Sequence, residues 1–110
     1  MGTVRYDKLV RDKIPDVIRK AGKEPVTDVF PREAILPALG RKLQEEVQEY
    51  LEGQNIEEMA DILEVLHALA FHMGVSWDEV ESARVQKRVE RGGFEDGIRL
   101  IEVRNEGVGN

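Results

Sequence analysis

The sequence predicts a mostly all-α domain, a bundle of four to five helices with at most short strands towards its ends. Three observations lead there. Apolar residues recur at spacings of three and four across most of residues 8–91. Glycines stand where those stretches break off, at Gly22, Gly53, Gly74 and the Gly92-Gly93 pair. The 110 residues fall short of one average ~150-residue unit, and no repeat or linker divides them.

Thr3 to Asp7 reads as a short edge strand. Lys8 to Ala21 places Leu9, Val10, Ile14, Val17 and Ile18 at helical spacing, with Pro15 suited to a first turn and Gly22 just past the end. Glu24 to Phe30 alternates weakly through Val26 and Val29, as a loop or a short strand. The next helix spans Glu33 to Glu52, where Ile35, Leu39, Leu43, Val47 and Leu51 repeat every fourth residue. Pro37 either kinks that helix or opens its regular part, and Gly53 reads as its stop. After the turn Gly53-Gln54-Asn55 comes a helix over Ile56 to Met73. Its polar residues Glu57, Glu58, Asp61, Glu64, His67 and His72 form one band and the rest is apolar, so it is expected to be covered on most sides, in a bundle or across a subunit interface. Ser76 and Glu79 make a capping box for a fourth helix, Trp77 to Arg91. Phe94 to Arg104 alternates in part and reads as a terminal strand, and Glu106 to Asn110 as a frayed end.

The chain has no cysteine, which removes disulfide scaffolds, thiolate zinc sites and cysteine nucleophiles. No apolar run approaches the ~18 residues of a membrane span, and Met1 to Lys20 lacks a signal-peptide apolar region. A cytoplasmic chain that binds neither membrane nor duplex nucleic acid is the expectation. The net charge of 16 − 22 = −6 is a sum of opposed parts. Leu43 to Ala83 holds 11 acids and no Lys or Arg, and the remainder carries 16 − 11 = +5.

Within that acidic stretch two carboxylate sets face each other across the tight turn: Glu45, Glu46 and Glu49 on one helix, Glu58 and Asp61 on the next. Glu46 lies inside the apolar arc of Leu39, Leu43, Val47 and Tyr50, where a solvated charge is out of place. Two like charges ~5 Å apart at an effective dielectric near 20 repel by roughly 3 kcal/mol, and several such pairs rival a whole fold's ~5–15 kcal/mol. With no Lys or Arg from Leu43 to Ala83, divalent cations are the economical counter-charge, and an all-oxygen set suits Mg²⁺ or Mn²⁺. The ordinary alternatives are a solvated face for Glu45, Glu49 and Glu52, and a helix-capping role for Glu58 beside Asn55. Asp61, a poor mid-helix residue, interrupts an apolar stretch and is harder to dismiss. Glu64 and His67 form the Glu-x-x-His unit of di-iron bundles, but the second copy is missing, since Leu69 stands three residues before His72. Both histidines are read as ordinary polar or interface residues. Trp77, Phe71 and Tyr50 are assigned to core packing ahead of base stacking, and Met59 and Met73 to the core.

Glu-Glu-x-x-Glu at Glu45 to Glu49, followed by Glu-x-x-Asp at Glu58 to Asp61, resembles the all-α nucleoside triphosphate pyrophosphohydrolases, the MazG-like superfamily. The opening Tyr6-Asp7-Lys8-Leu9-Val10-Arg11-Asp12-Lys13-Ile14-Pro15 and the late Arg91-Gly92-Gly93-Phe94 are similar to its small house-cleaning branch, related to phosphoribosyl-ATP pyrophosphohydrolase. The resemblance covers nearly the whole chain, although the gap from Glu49 to Glu58 is shorter than in many such proteins. It implies a MazG-like bundle that cleaves the α–β phosphoanhydride of nucleoside triphosphates, with Mg²⁺ (or Mn²⁺) held by Glu45, Glu49, Glu58 and Asp61. Glu46 matches the remaining carboxylate, an additional ligand or the group that helps activate water. Lys8, Arg11 and Lys13 at the front, and Lys87, Arg88 and Arg91 at the back, are expected to hold outer phosphates, with Lys42 as a structural counter-ion. A homodimer or dimer of dimers is the expected assembly. The rival readings are phosphoribosyl-ATP hydrolysis and a non-enzymatic helical module that binds a cation or a basic partner; a di-iron bundle is a weaker one.

Overall fold

A computed structural model of the chain describes residues 2–105 and is all-α. Its helices are α1 (Ile14–Lys20), α2 (Arg32–Gly53), α3 (Ile56–Met73) and α4 (Trp77–Arg91). No strand occurs among the described residues, and the stretch Glu106 to Asn110 lies outside them. The expected strands over Thr3 to Asp7 and Phe94 to Arg104 are irregular instead, because a strand needs a partner ladder and neither segment pairs with another, and Glu24 to Phe30 takes the loop form of its two readings.

The first helix is shorter than its apolar pattern. Pro15 stands in the opening turn of α1, where a missing N–H costs nothing, so the helix cannot reach back to Lys8. The Ile14 N–H closes a turn onto the Arg11 carbonyl at 3.0 Å, and Gly22 leaves the helix at φ +83°. Helix α2 starts at Arg32 and runs on through Pro37. That proline gives up one backbone bond to the Glu33 carbonyl without ending the helix.

The hairpin between α2 and α3 positions the site. Gln54, not Gly53, takes the left-handed conformation that ends α2, at φ 51°. Gly53 is the last helical residue, and its missing side chain matters for space: a Cβ there would stand 3.3 Å from both Asn55 Nδ2 and Glu58 Cγ. Asn55 caps α3, its side chain accepting the Glu58 N–H at 3.0 Å. Asn55→Ala is therefore expected to lower unfolding free energy by about 1 kcal/mol in a urea titration. At its far end α3 stops on Gly74, at φ +76°, with the Val75 N–H donating to the Ala70 carbonyl at 2.9 Å.

Contacts divide the chain into two compact units, Met1–Trp77 and Asp78–Asn110. In the first, α2 and α3 are antiparallel neighbours around a thin core of Ala38, Leu39, Val65 and Ala70. Trp77 stacks on His67 with ring centroids 3.6 Å apart. The second holds most of α4 and the segment after it, with ion pairs Arg84–Glu81 and Arg88–Glu95.

The core is smaller than the length and composition suggest. Met59 and Phe71, expected inside, are 59% and 77% exposed, and Met73 is exposed as well. In α3 the exposed Ile56, Met59, Leu63, Leu66 and Met73, together with buried Ala70, follow a three-four spacing along one face. That is the seam a helix presents to another helix. Among the described residues no single helix is long and apolar enough to cross a membrane.

Candidate metal centre

Antiparallel pairing of α2 and α3 brings both carboxylate sets to one place. Ligand-capable oxygens of Glu45, Glu46 and Glu49 lie within 4.8 Å of one another, and so do those of Glu46, Glu58 and Asp61. Glu46 is common to both groups and is only 6% exposed. It sits where the helical arc of α2 turns towards α3, as its place among Leu39, Leu43 and Tyr50 requires.

The counter-charges come partly from outside the acidic stretch. Lys8 donates to Glu45 at 3.0 Å, and Arg11 pairs with Asp61 at 2.6 Å. Both had been expected on phosphates; in this structure they rest on the carboxylates, carried there by the irregular segment ahead of α1. Lys42, one turn before Glu46, approaches Glu46 Oε1 at 3.2 Å and Glu45 Oε2 at 3.5 Å, the counter-ion position expected of it. Five carboxylates against three cations leave 5 − 3 = 2 negative charges. No basic side chain pairs with Glu49 or Glu58 among the described residues.

The imbalance shows in the acid–base properties. The hydrogen bond from Lys8 holds the Glu45 carboxyl below the ordinary range, and Glu45 in turn raises the Lys8 ammonium. Glu49 is pushed the other way, first because it meets the Glu46 carboxylate side by side and then through repulsion from Glu46 and Glu45. Glu46 Oε2 is buried and has no hydrogen-bond donor. An orphaned buried carboxylate oxygen is costly unless something positive meets it. A residual charge of two, oxygen donors alone and a donor-less buried oxygen together fit a hard divalent cation.

The remaining expected site residues are placed differently. Lys13 caps the start of α1 backbone-first and makes no ion pair among the described residues. Lys87, Arg88 and Arg91 belong to the second unit, where Arg88 pairs with Glu95 at 3.3 Å. Glu64 is exposed, and His67 is taken up by Trp77. Beside the carboxylates lies a cavity of about 220 Å³ that sequence reasoning did not single out. Its walls include Arg41 and Phe30. The spacing of Arg41 from Glu45, one helical turn, was the available signal.

Compared with known proteins, the chain matches no family model, no curated relative and no solved structure.

Proposed function

We propose that the chain is a Mg²⁺-dependent nucleotide pyrophosphohydrolase, splitting non-standard or excess nucleoside triphosphates into a monophosphate and pyrophosphate. The observation that carries this reading is Glu46: a buried carboxylate with one oxygen lacking a donor, at the shared corner of two acidic groups. The reaction class is what the resemblance of the two carboxylate motifs to the MazG-like pyrophosphohydrolases implies.

Glu45, Glu49, Glu58 and Asp61 would hold the cation, with Mn²⁺ as an alternative to Mg²⁺. When bound, a divalent cation there supplies counter-charge for the phosphates, Lewis-acid polarisation of the anhydride and activation of water. Glu46, shielded by the helices, would either complete the ligand set or take a proton from the attacking water. Attack at the α-phosphorus breaks the α–β bond, and the leaving group departs as pyrophosphate. Lys8 and Arg11 neutralise Glu45 and Asp61 in this structure and would be available to phosphate oxygens with a cation held by those carboxylates.

Pyrophosphate release by the purified protein with Mg²⁺ tests the reading, across the common dNTPs, oxidised NTPs and phosphoribosyl-ATP. Hydrolysis of one or more dNTPs or oxidised NTPs is the expected result. A preference for phosphoribosyl-ATP by orders of magnitude would move the assignment to histidine biosynthesis, and no hydrolysis with retained cation binding would favour a binding module.

Self-association is part of the same proposal. The exposed seam of α3, with Leu51 of α2 57% exposed beside the turn, is more apolar surface than a single chain covers. A homodimer or dimer of dimers that buries it is expected by light scattering at micromolar concentration. Leu63→Glu, which sets a charge in the middle of the seam, should shift the mass to the monomer.

A further inference from the structure

The cavity beside the carboxylates is lined by cationic and apolar groups in separate places. Lys8, Arg41 and Lys42 supply the cations, and Leu9 and Phe30 supply apolar walls. Asp7, held at φ 49°, and Glu45 form its acidic edge. Two of the cations are engaged: Lys8 with Glu45, and Lys42 with Glu45 and Glu46. Arg41 is exposed and makes no ion pair or hydrogen bond among the described residues. An unpaired guanidinium at the mouth of a concave site, one turn along α2 from the carboxylates, is a donor array awaiting an acceptor.

From this juxtaposition we infer that the cavity is a subsite for a pyrophosphoryl group, with Arg41 as its principal ligand and the carboxylate cluster at its rim. The cation excess in the walls is 3 − 2 = 1 as the side chains stand. It grows when Glu45 turns from Lys8 to a divalent cation, because the Lys8 ammonium then faces the cavity uncompensated while Lys42 keeps its pair with Glu46. The volume of about 220 Å³ is below the ~300–1,000 Å³ of sites that enclose a whole drug-sized ligand, so it takes one end of a nucleotide. Three cations select the phosphate end over the base. A polyphosphate seated there would lay its outer phosphates against Arg41 and its α-phosphate towards Glu45. The ligand class rests on the hydrolase reading; the anion preference and the role of Arg41 do not.

Calorimetric titration with sodium pyrophosphate in excess magnesium chloride tests the subsite, alongside Mn²⁺ titration of the same proteins without pyrophosphate. Arg41→Gln is expected to weaken pyrophosphate binding about tenfold or more, and Arg41→Lys to recover part of the loss, with Mn²⁺ affinity unchanged in both. Lys20→Gln, an exposed cation on α1 away from the cavity, should bind as the unaltered protein does. Equal pyrophosphate affinity in Arg41→Gln and the unaltered protein overturns the subsite, as does the absence of pyrophosphate binding to the unaltered protein; the hydrolase reading stands in either case if Mn²⁺ still binds. Arg41-dependent pyrophosphate binding by a protein that takes up no Mn²⁺ supports the subsite and removes the hydrolase.

Discussion

Glu49→Gln combined with Asp61→Asn is expected to abolish Mn²⁺ binding and to cut Mg²⁺-dependent pyrophosphate release by about 10³-fold or more, with the helical content intact. The magnitude follows from losing Lewis-acid stabilisation worth several kcal/mol, at 1.36 kcal/mol per factor of ten. The fold should tolerate the change for reasons visible in the site. Glu49 has no cationic partner among the described residues and meets Glu46, so neutralising it removes a repulsion. Asp61 loses its pair with Arg11, but both side chains are partly in water, where such a pair is worth no more than ~1 kcal/mol. Far-UV circular dichroism and urea unfolding report the fold, and phosphate analysis after inorganic pyrophosphatase reports the activity. Survival of both the fold and Mg²⁺-dependent hydrolysis would remove the metal centre from the account.

Lys42→Met is expected to destabilise the cation-free protein by about 3 kcal/mol, the lower end for removing one partner of a buried ion pair. Lys42 and Glu46 are 17% and 8% exposed at the side chain, so the methionine leaves a buried carboxylate among four other carboxylates with no cation against Oε1. Saturating Mn²⁺ should restore much of the loss, because binding to the folded state alone adds stability in proportion to the logarithm of ligand over Kd. Lys42→Met with Glu46→Leu should lie closer to the unaltered protein, since replacing both members of a buried pair by apolar groups is often neutral. Urea titrations with and without Mn²⁺ measure all three. A loss below about 1 kcal/mol for the single variant would mean that water reaches Glu46 and that its burial is not what calls for a cation.

The residues of the site differ in how far the sequence alone reveals them. The five carboxylates and their two faces could be read from spacing, because residues three and four apart on a helix must be neighbours. Burial of Glu46 followed from its place within an apolar arc. Lys8 and Arg11 on Glu45 and Asp61 could not be read: 37 and 50 residues separate these partners, beyond the reach of any helical spacing.

Helix α2 shows the limit of pattern. Its apolar row from Ile35 to Leu51 looks continuous, yet Leu39 is buried and Leu51 exposed. At about 3.6 residues per turn, each step of four advances ~40° around the axis. A strict every-fourth row therefore winds away from α3 by the end of the hairpin. The strands expected near both ends failed for a related reason, since alternation announces a face but not a partner.

What local chemistry dictates was present in the chain from the start. Asn55 and Gly74 bound α3, Pro15 opens α1, and the acidic faces stand at helical spacing, because each depends on neighbours a few residues away. The tertiary structure alone decided which cations reach the carboxylates, that Glu46 keeps an oxygen without a donor, that Arg41 faces a cavity unpaired, and that the α3 seam stays uncovered in one chain. Those outcomes turn on how two long helices and an irregular leading segment meet in space. That meeting balances desolvation, charge and packing over distances no local pattern spans.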